Sequence, residues 1–135
     1  MPDDAPRHQQ RERALSLLYE ADLKGEEPRA VLAALALAPD PYVVRLLERA
    51  EDERPGAEEH IAAASAHWPL ERMAVIDRLI LRLALAELTD PDGPPIAVVI
   101  DEAVELAKEY STDESGAFVN GILSALAPEV RPAPR

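Results

Sequence analysis

The chain has 135 residues, 47% hydrophobic and 30% charged, with 13 prolines and no cysteine, enough for one folded domain and a modest core. The missing cysteine excludes a disulfide framework, a thiolate metal site and a cysteine nucleophile, and fits a reducing cytosol. A net charge of −12 argues against general nucleic-acid binding, because phosphates repel an acidic surface; it leaves room for a local basic site or a basic protein partner.

The N-terminus, "MPDDAPRHQQRER", is polar throughout and carries no signal peptide. The apolar runs are too short to span a bilayer. A cytoplasmic chain with no membrane contact is expected.

Prolines fall where helices should start or stop, and the apolar spacing predicts seven helices. The first runs from about Pro6 to Leu23, ended by "KGEEP". Pro28 suits the first turn of a short second helix to about Leu37. A third has Asp40 as N-cap and Pro41 at N1 and runs to about Asp52. A fourth covers about Ala57 to His67.

The fifth, Met73 to Leu88, is apolar on most sides and should be central and buried. Its polar groups, Asp77, Arg78, Arg82 and Glu87, therefore stand out. The sixth, from about Pro95, should turn Ile96, Val99, Ile100, Ala103, Val104, Ala107 and Tyr110 inward. Ser111 opens the seventh as a capping box with Glu114. That helix should end near Ala127, with a loose Pro-containing tail from about Pro128. No run alternates with period two for long enough to make a strand. The fold expected is all-α, one domain over residues 1–135.

Nothing in this pattern marks catalysis. There is no phosphate loop and no nucleophile elbow. His60 and His67 are two turns apart without a third ligand, so no metal and no cofactor are expected. The basic residues say more. Arg7 and Arg11 are four apart and share a helix face, so they can reach successive phosphates; Arg13 and His8 lie beside them. The plain alternative is an ordinary solvated face.

Three segments carry a resemblance: "RHQQRERALSLLYEAD", "IDRLILRLALAEL" and "IDEAVELAKEYSTDESGAFVNGIL". Together, in this order and spacing, they resemble the NusB family of bacterial transcription antitermination factors over nearly the whole chain. The weakest stretch is about Glu26 to Ala64. The resemblance implies two small helical bundles packed together. It implies binding of boxA RNA in nascent ribosomal transcripts, jointly with NusE, the small-subunit ribosomal protein. It also implies loading onto the RNA polymerase elongation complex with other Nus factors, and no catalysis.

Carried over by position, the resemblance places RNA contacts at Arg7, Arg11, Tyr19 and Phe118 and a partner contact at Asp77; His8 and Asn120 are further candidates for RNA, and Arg82 and Glu87 for the partner. His8 and Gln9 stand where the family often has arginines. Ala86 replaces an aromatic common in the family.

Phe118 can offer a stacking face for a base, and Asn120 a hydrogen bond to RNA or a loop. Gly121, in mid-helix, reads best as a notch for a close-packed neighbour. Apolar surface reserved for NusE is open to self-association, giving a homodimer when NusE is absent. Two rival readings remain. One is a protein-only scaffold for basic partners. The other is the NusB-like domain of an RNA methyltransferase system, which would need a downstream cofactor-binding domain.

Overall fold

The computed structural model describes residues 6–65 and 72–131, and among these residues every regular element is helical. The elements are α1 (Arg7–Lys24), α2 (Pro28–Ala34), α3 (Pro41–Asp52), α4 (Arg54–Ala64), α5 (Val75–Leu88), α6 (Ile96–Tyr110) and α7 (Asp113–Val130).

Two groups pack together. Helices α1, α2 and α3 touch one another, and α4, α6 and α7 gather on α5, which also contacts α1 and α3. As its composition predicts, α5 is the shared centre, with every residue from Leu79 to Leu88 buried. Helices α6 and α7 pack extensively on each other and against it. The core is built of Leu, Ala, Val and Ile, with Leu17, Leu18, Leu47, Ile61, Leu81 and Leu123 among its fully buried members.

Several boundaries move, each for a local reason. Helix α2 stops at Ala34 because Leu35 turns extended, at ψ 139°. Asp40 does precede α3, but its side chain makes no cap bond; it accepts instead from Gln10 Nε2 at 3.3 Å. Helix α4 begins at Arg54, with only Glu53 between it and the end of α3, and Pro55 lies in its first turn. His67, placed in this helix by its pattern, lies outside the described residues.

The cap of α7 is Thr112, not Ser111. The Thr112 side chain accepts from the Ser115 N–H at 3.1 Å, and Ser115 Oγ reaches back to the Thr112 N–H at 3.4 Å. Serine thus takes the place expected of Glu114.

Nor does α7 stop at Pro128. It runs through that residue to Val130, so the stretch from 128 to 131 is no loose tail. A proline lacks only one donor, and in a last turn few helical bonds depend on it. Beyond it Arg131 clamps the helix end to α5: its Nε donates to Leu88 O at 2.9 Å and its Nη2 to Glu87 O at 2.7 Å, while Nη1 donates to Pro94 O.

The sixth helix is rotated from its expected setting. Val99, Ala103, Leu106 and Ala107 are buried, whereas Val104 is half-buried and Tyr110 is 48% exposed.

Two glycines make a contrast. A Cβ on Gly93 would land closer than 3.0 Å to the Glu87 main-chain oxygen and the Arg131 guanidinium; a Cβ on Gly121 would meet nothing within 4 Å. The notch expected at Gly121 is therefore absent, and its surface is open. Gly93→Ala should destabilise by about 1–3 kcal/mol through overpacking. Gly121→Ala should be neutral or stabilise by up to about 1 kcal/mol, since an interior helical glycine costs that much. Thermal melts of the two variants check both signs.

Candidate nucleic-acid interface

The residues singled out from the sequence fall into three environments. At the start of α1, Arg7 is exposed, its guanidinium 3.9 Å from the centroid of the Tyr42 ring and hydrogen-bonded to Gln10 Oε1. A cation over an aromatic face is attracted by the ring and held in position by it.

One turn on, Arg11 behaves quite differently. The pattern puts it on Arg7's face; the structure buries it at 4% exposure. Its Nε and Nη2 donate to the two carboxylate oxygens of Glu87 at 3.0 and 2.9 Å, and Tyr42 Oη donates to the same carboxylate. Burial, with Glu87 adding to it, pushes the Tyr42 phenol well above its usual range. The expected exposed Arg7–Arg11 pair is thus one exposed cation and one internal ion pair.

The three expected partner contacts are buried as well: Asp77, Arg82 and Glu87 are at 6%, 4% and 4% exposure. Arg82 Nη2 donates to Ala50 O at 3.1 Å, tying α5 to α3, and its Nε has no hydrogen-bond partner among the described residues. Burial lowers its pKa. Asp77 accepts from Ser115 Oγ at 2.9 Å, and its Oδ1 is buried without a partner among the described residues.

The second environment surrounds Phe118. Half-buried on α7, it lines a hollow of about 320 Å³ with Arg72, Met73, Ala74, Asp77, Thr112 and Glu114. The N-terminal turns of α5 and α7 meet here, so the Thr112–Ser115 cap and the Ser115–Asp77 bond hold the wall in place. Asn120, a short way further along α7, is exposed and accepts from Ser124 Oγ at 2.9 Å. It does not line this hollow.

The third lies beside it. Tyr19, 37% exposed, shares a hollow of about 320 Å³ with Glu12, Leu15, Ser16, Ile76 and Tyr110. Ile76 and Asp77 are neighbours on α5, so the two hollows flank the start of that helix. Tyr110 Oη donates to Glu12, which raises the phenol to about 12. His8 closes this edge: Nδ1 is 2.8 Å from Glu102 Oε2 and Nε2 is 3.1 Å from Glu109 Oε1. The Glu102 hydrogen bond, with Coulombic support from Glu102, Glu109 and Glu12, raises its pKa.

Tyr110, Glu12 and Arg72 are not marked by the sequence pattern as members of this surface. Tyr110 does carry a signal, as an aromatic in the last turn of an amphipathic helix, where a slight phase error moves a side chain from core to rim.

Aromatic-lined hollows beside helix N-termini, with arginines engaged in internal pairs, define an all-helical binding module. The chain belongs to the NusB family, whose sequence model matches residues 8–128. It is 43% identical over 129 residues to the transcription antitermination protein NusB of Streptomyces griseus, covering 89% of this chain and 90% of that one. With NusB of Acidothermus cellulolyticus it shares 46% over 120 residues, covering 86% and 83%. The structure of T. maritima NusB superposes with a TM-score of 0.85 at 33% identity, covering 98% of this chain and 96% of that one. A chain from the crystal structure of antitermination factors NusB and NusE in complex with dsRNA matches at a TM-score of 0.73 and 27% identity, covering 91% and 96%. These relatives are transcription antitermination factors, not enzymes.

Proposed function

We propose that this chain is a transcription antitermination factor that binds boxA RNA of nascent ribosomal transcripts together with NusE, and that it joins the RNA polymerase elongation complex with other Nus factors. The observation that carries this reading is the pair of hollows flanking α5, one walled by Phe118 and the other by Tyr19 and Tyr110. Unpaired bases are recognised by stacking on aromatic faces and by hydrogen bonds to their edges, and the rims carry Arg72, Thr112 and Glu114 for the second task. Single-stranded RNA suits such a surface better than a duplex would.

The acidic total supports the choice of protein partner. A ribosomal protein is basic, and complementary potential speeds and orients its docking. A relative has been crystallised as NusB with NusE and dsRNA. In the absence of NusE the surface that NusE would cover serves a homodimer.

Within this reading Arg7 is the phosphate contact of α1, and Arg11, Glu87 and Arg82 support the surface from inside. Phe118→Ala should weaken binding of a boxA oligonucleotide by about 1–3 kcal/mol per stacked base, with little change in salt dependence. Arg7→Ala should weaken boxA and scrambled RNA alike and flatten the salt slope by about 0.7. Titrations at several salt concentrations, with and without NusE, read both. If neither variant changes RNA binding, a protein-only scaffold replaces this reading.

A further inference from the structure

We propose that His8, Glu12 and Glu109 form a binding site for a divalent transition-metal cation of the zinc class where α1 meets α6. The sequence predicts no metal because the donors are split between helices: His8 and Glu109 are 101 residues apart. In the fold, one ligand atom from each of the three lies within 4.8 Å of the others.

The distances suit a tetrahedral ion. Two ligand atoms each roughly 2.0–2.2 Å from zinc at a tetrahedral angle sit about 3.4 Å apart. His8 Nε2 is 3.1 Å from Glu109 Oε1 and 4.0 Å from Glu12 Oε2, which brackets that value. The pairing of His8 with Glu12 at i,i+4 puts both on one face of α1, and Glu109 comes from the facing helix.

The outer groups fit as well. Glu102 Oε2 holds His8 Nδ1 at 2.8 Å. A carboxylate on one ring nitrogen fixes the tautomer that leaves the other nitrogen for metal. Tyr110 Oη donates to Glu12 Oε2, the same oxygen that faces His8, and so fixes the position of that carboxylate.

Charge favours a cation. Three carboxylates, Glu12, Glu102 and Glu109, surround one imidazole, and the neighbouring guanidinium, Arg11, approaches Glu102 only to 3.9 Å. A metal displaces the Nε2 proton and brings two positive charges in its place. The side chains of His8, Glu12 and Glu109 are 34%, 29% and 38% exposed, so an ion can reach them from solvent. An imidazole ligand selects zinc, cobalt or nickel over magnesium or calcium.

The test is calorimetric titration of the untagged, chelator-treated chain with zinc chloride at slightly alkaline pH, without RNA, so that it stands or falls independently of the RNA reading. Helicity is checked for every variant. The expected result is one zinc bound by the wild type and by His60→Ala, no such binding by His8→Ala, weakened binding by Glu109→Gln, and no comparable binding of magnesium chloride. Glu102→Gln, acting through His8, should weaken zinc about 10–100-fold without abolishing it. Cobalt at the site should give the visible absorption of a tetrahedral ion in the wild type and not in His8→Ala. Zinc binding equal in wild type and His8→Ala, or absent from the wild type, overturns the proposal.

Discussion

Arg11→Ala is expected to destabilise the protein by about 3–5 kcal/mol, because it strands a buried carboxylate. Glu87 is 4% exposed and accepts from Arg11 and Tyr42. Removing the guanidinium leaves that charge facing a phenol and apolar neighbours such as Ile80 and Val99. A double change of Arg11 and Glu87 to well-packed apolar residues should recover much of the loss, since a buried pair contributes little net stability when both members go. Chemical denaturation of the two variants measures this. If Arg11→Ala instead melts like wild type and only loses RNA, then Arg11 is a surface contact after all and the internal pair is wrong.

Leu106→Asp should be at least as severe. Leu106 is 2% exposed on α6, which packs against α5 and α7. An unpaired carboxylate there costs several kcal/mol, a large part of the roughly 5–15 kcal/mol that holds an ordinary domain. Val104→Asp, two residues earlier and half-buried, should be much milder, because that side chain can swing toward water. Circular dichroism melts of the two separate the observed setting of α6 from the one its apolar pattern suggests, where Val104 faces in.

These two cases define what the amino-acid pattern carries and what it loses. All seven helices are legible, because proline positions and apolar spacing are local signals. The centrality of α5 is legible too, since a helix apolar on all sides has nowhere to go but inside. The rotation of α6 is not. Ile96, Ile100, Val104 and Leu106 are all apolar, and a stripe wider than the buried face leaves the phase to be chosen by its neighbours, α5 and α7.

Charged residues are harder still. Arg7 and Arg11 look alike in a helical repeat, yet one lies over an aromatic ring at the surface and the other pairs with a residue 76 positions away. Only the tertiary fold brings Glu87 to Arg11, so no local rule distinguishes them. Family likeness singles out Phe118 and Tyr19 as candidates, whereas the hollows they line depend on how α1, α5 and α7 converge. Thr112 and Ser115 show a smaller version of the same limit, because Ser111 and Glu114 fit the capping pattern equally well one residue earlier.

The clamp made by Arg131 bears on where this chain can be cut. A designer guided by Pro128 would trim after Ala127, treating the last residues as dispensable. That cut would discard the guanidinium that satisfies the carbonyls of Glu87, Leu88 and Pro94, and would free the end of the central helix along with the Gly93 loop packed beneath it. Fusion partners and affinity handles therefore belong after Arg131, and the shortest fragment that keeps the native architecture includes it.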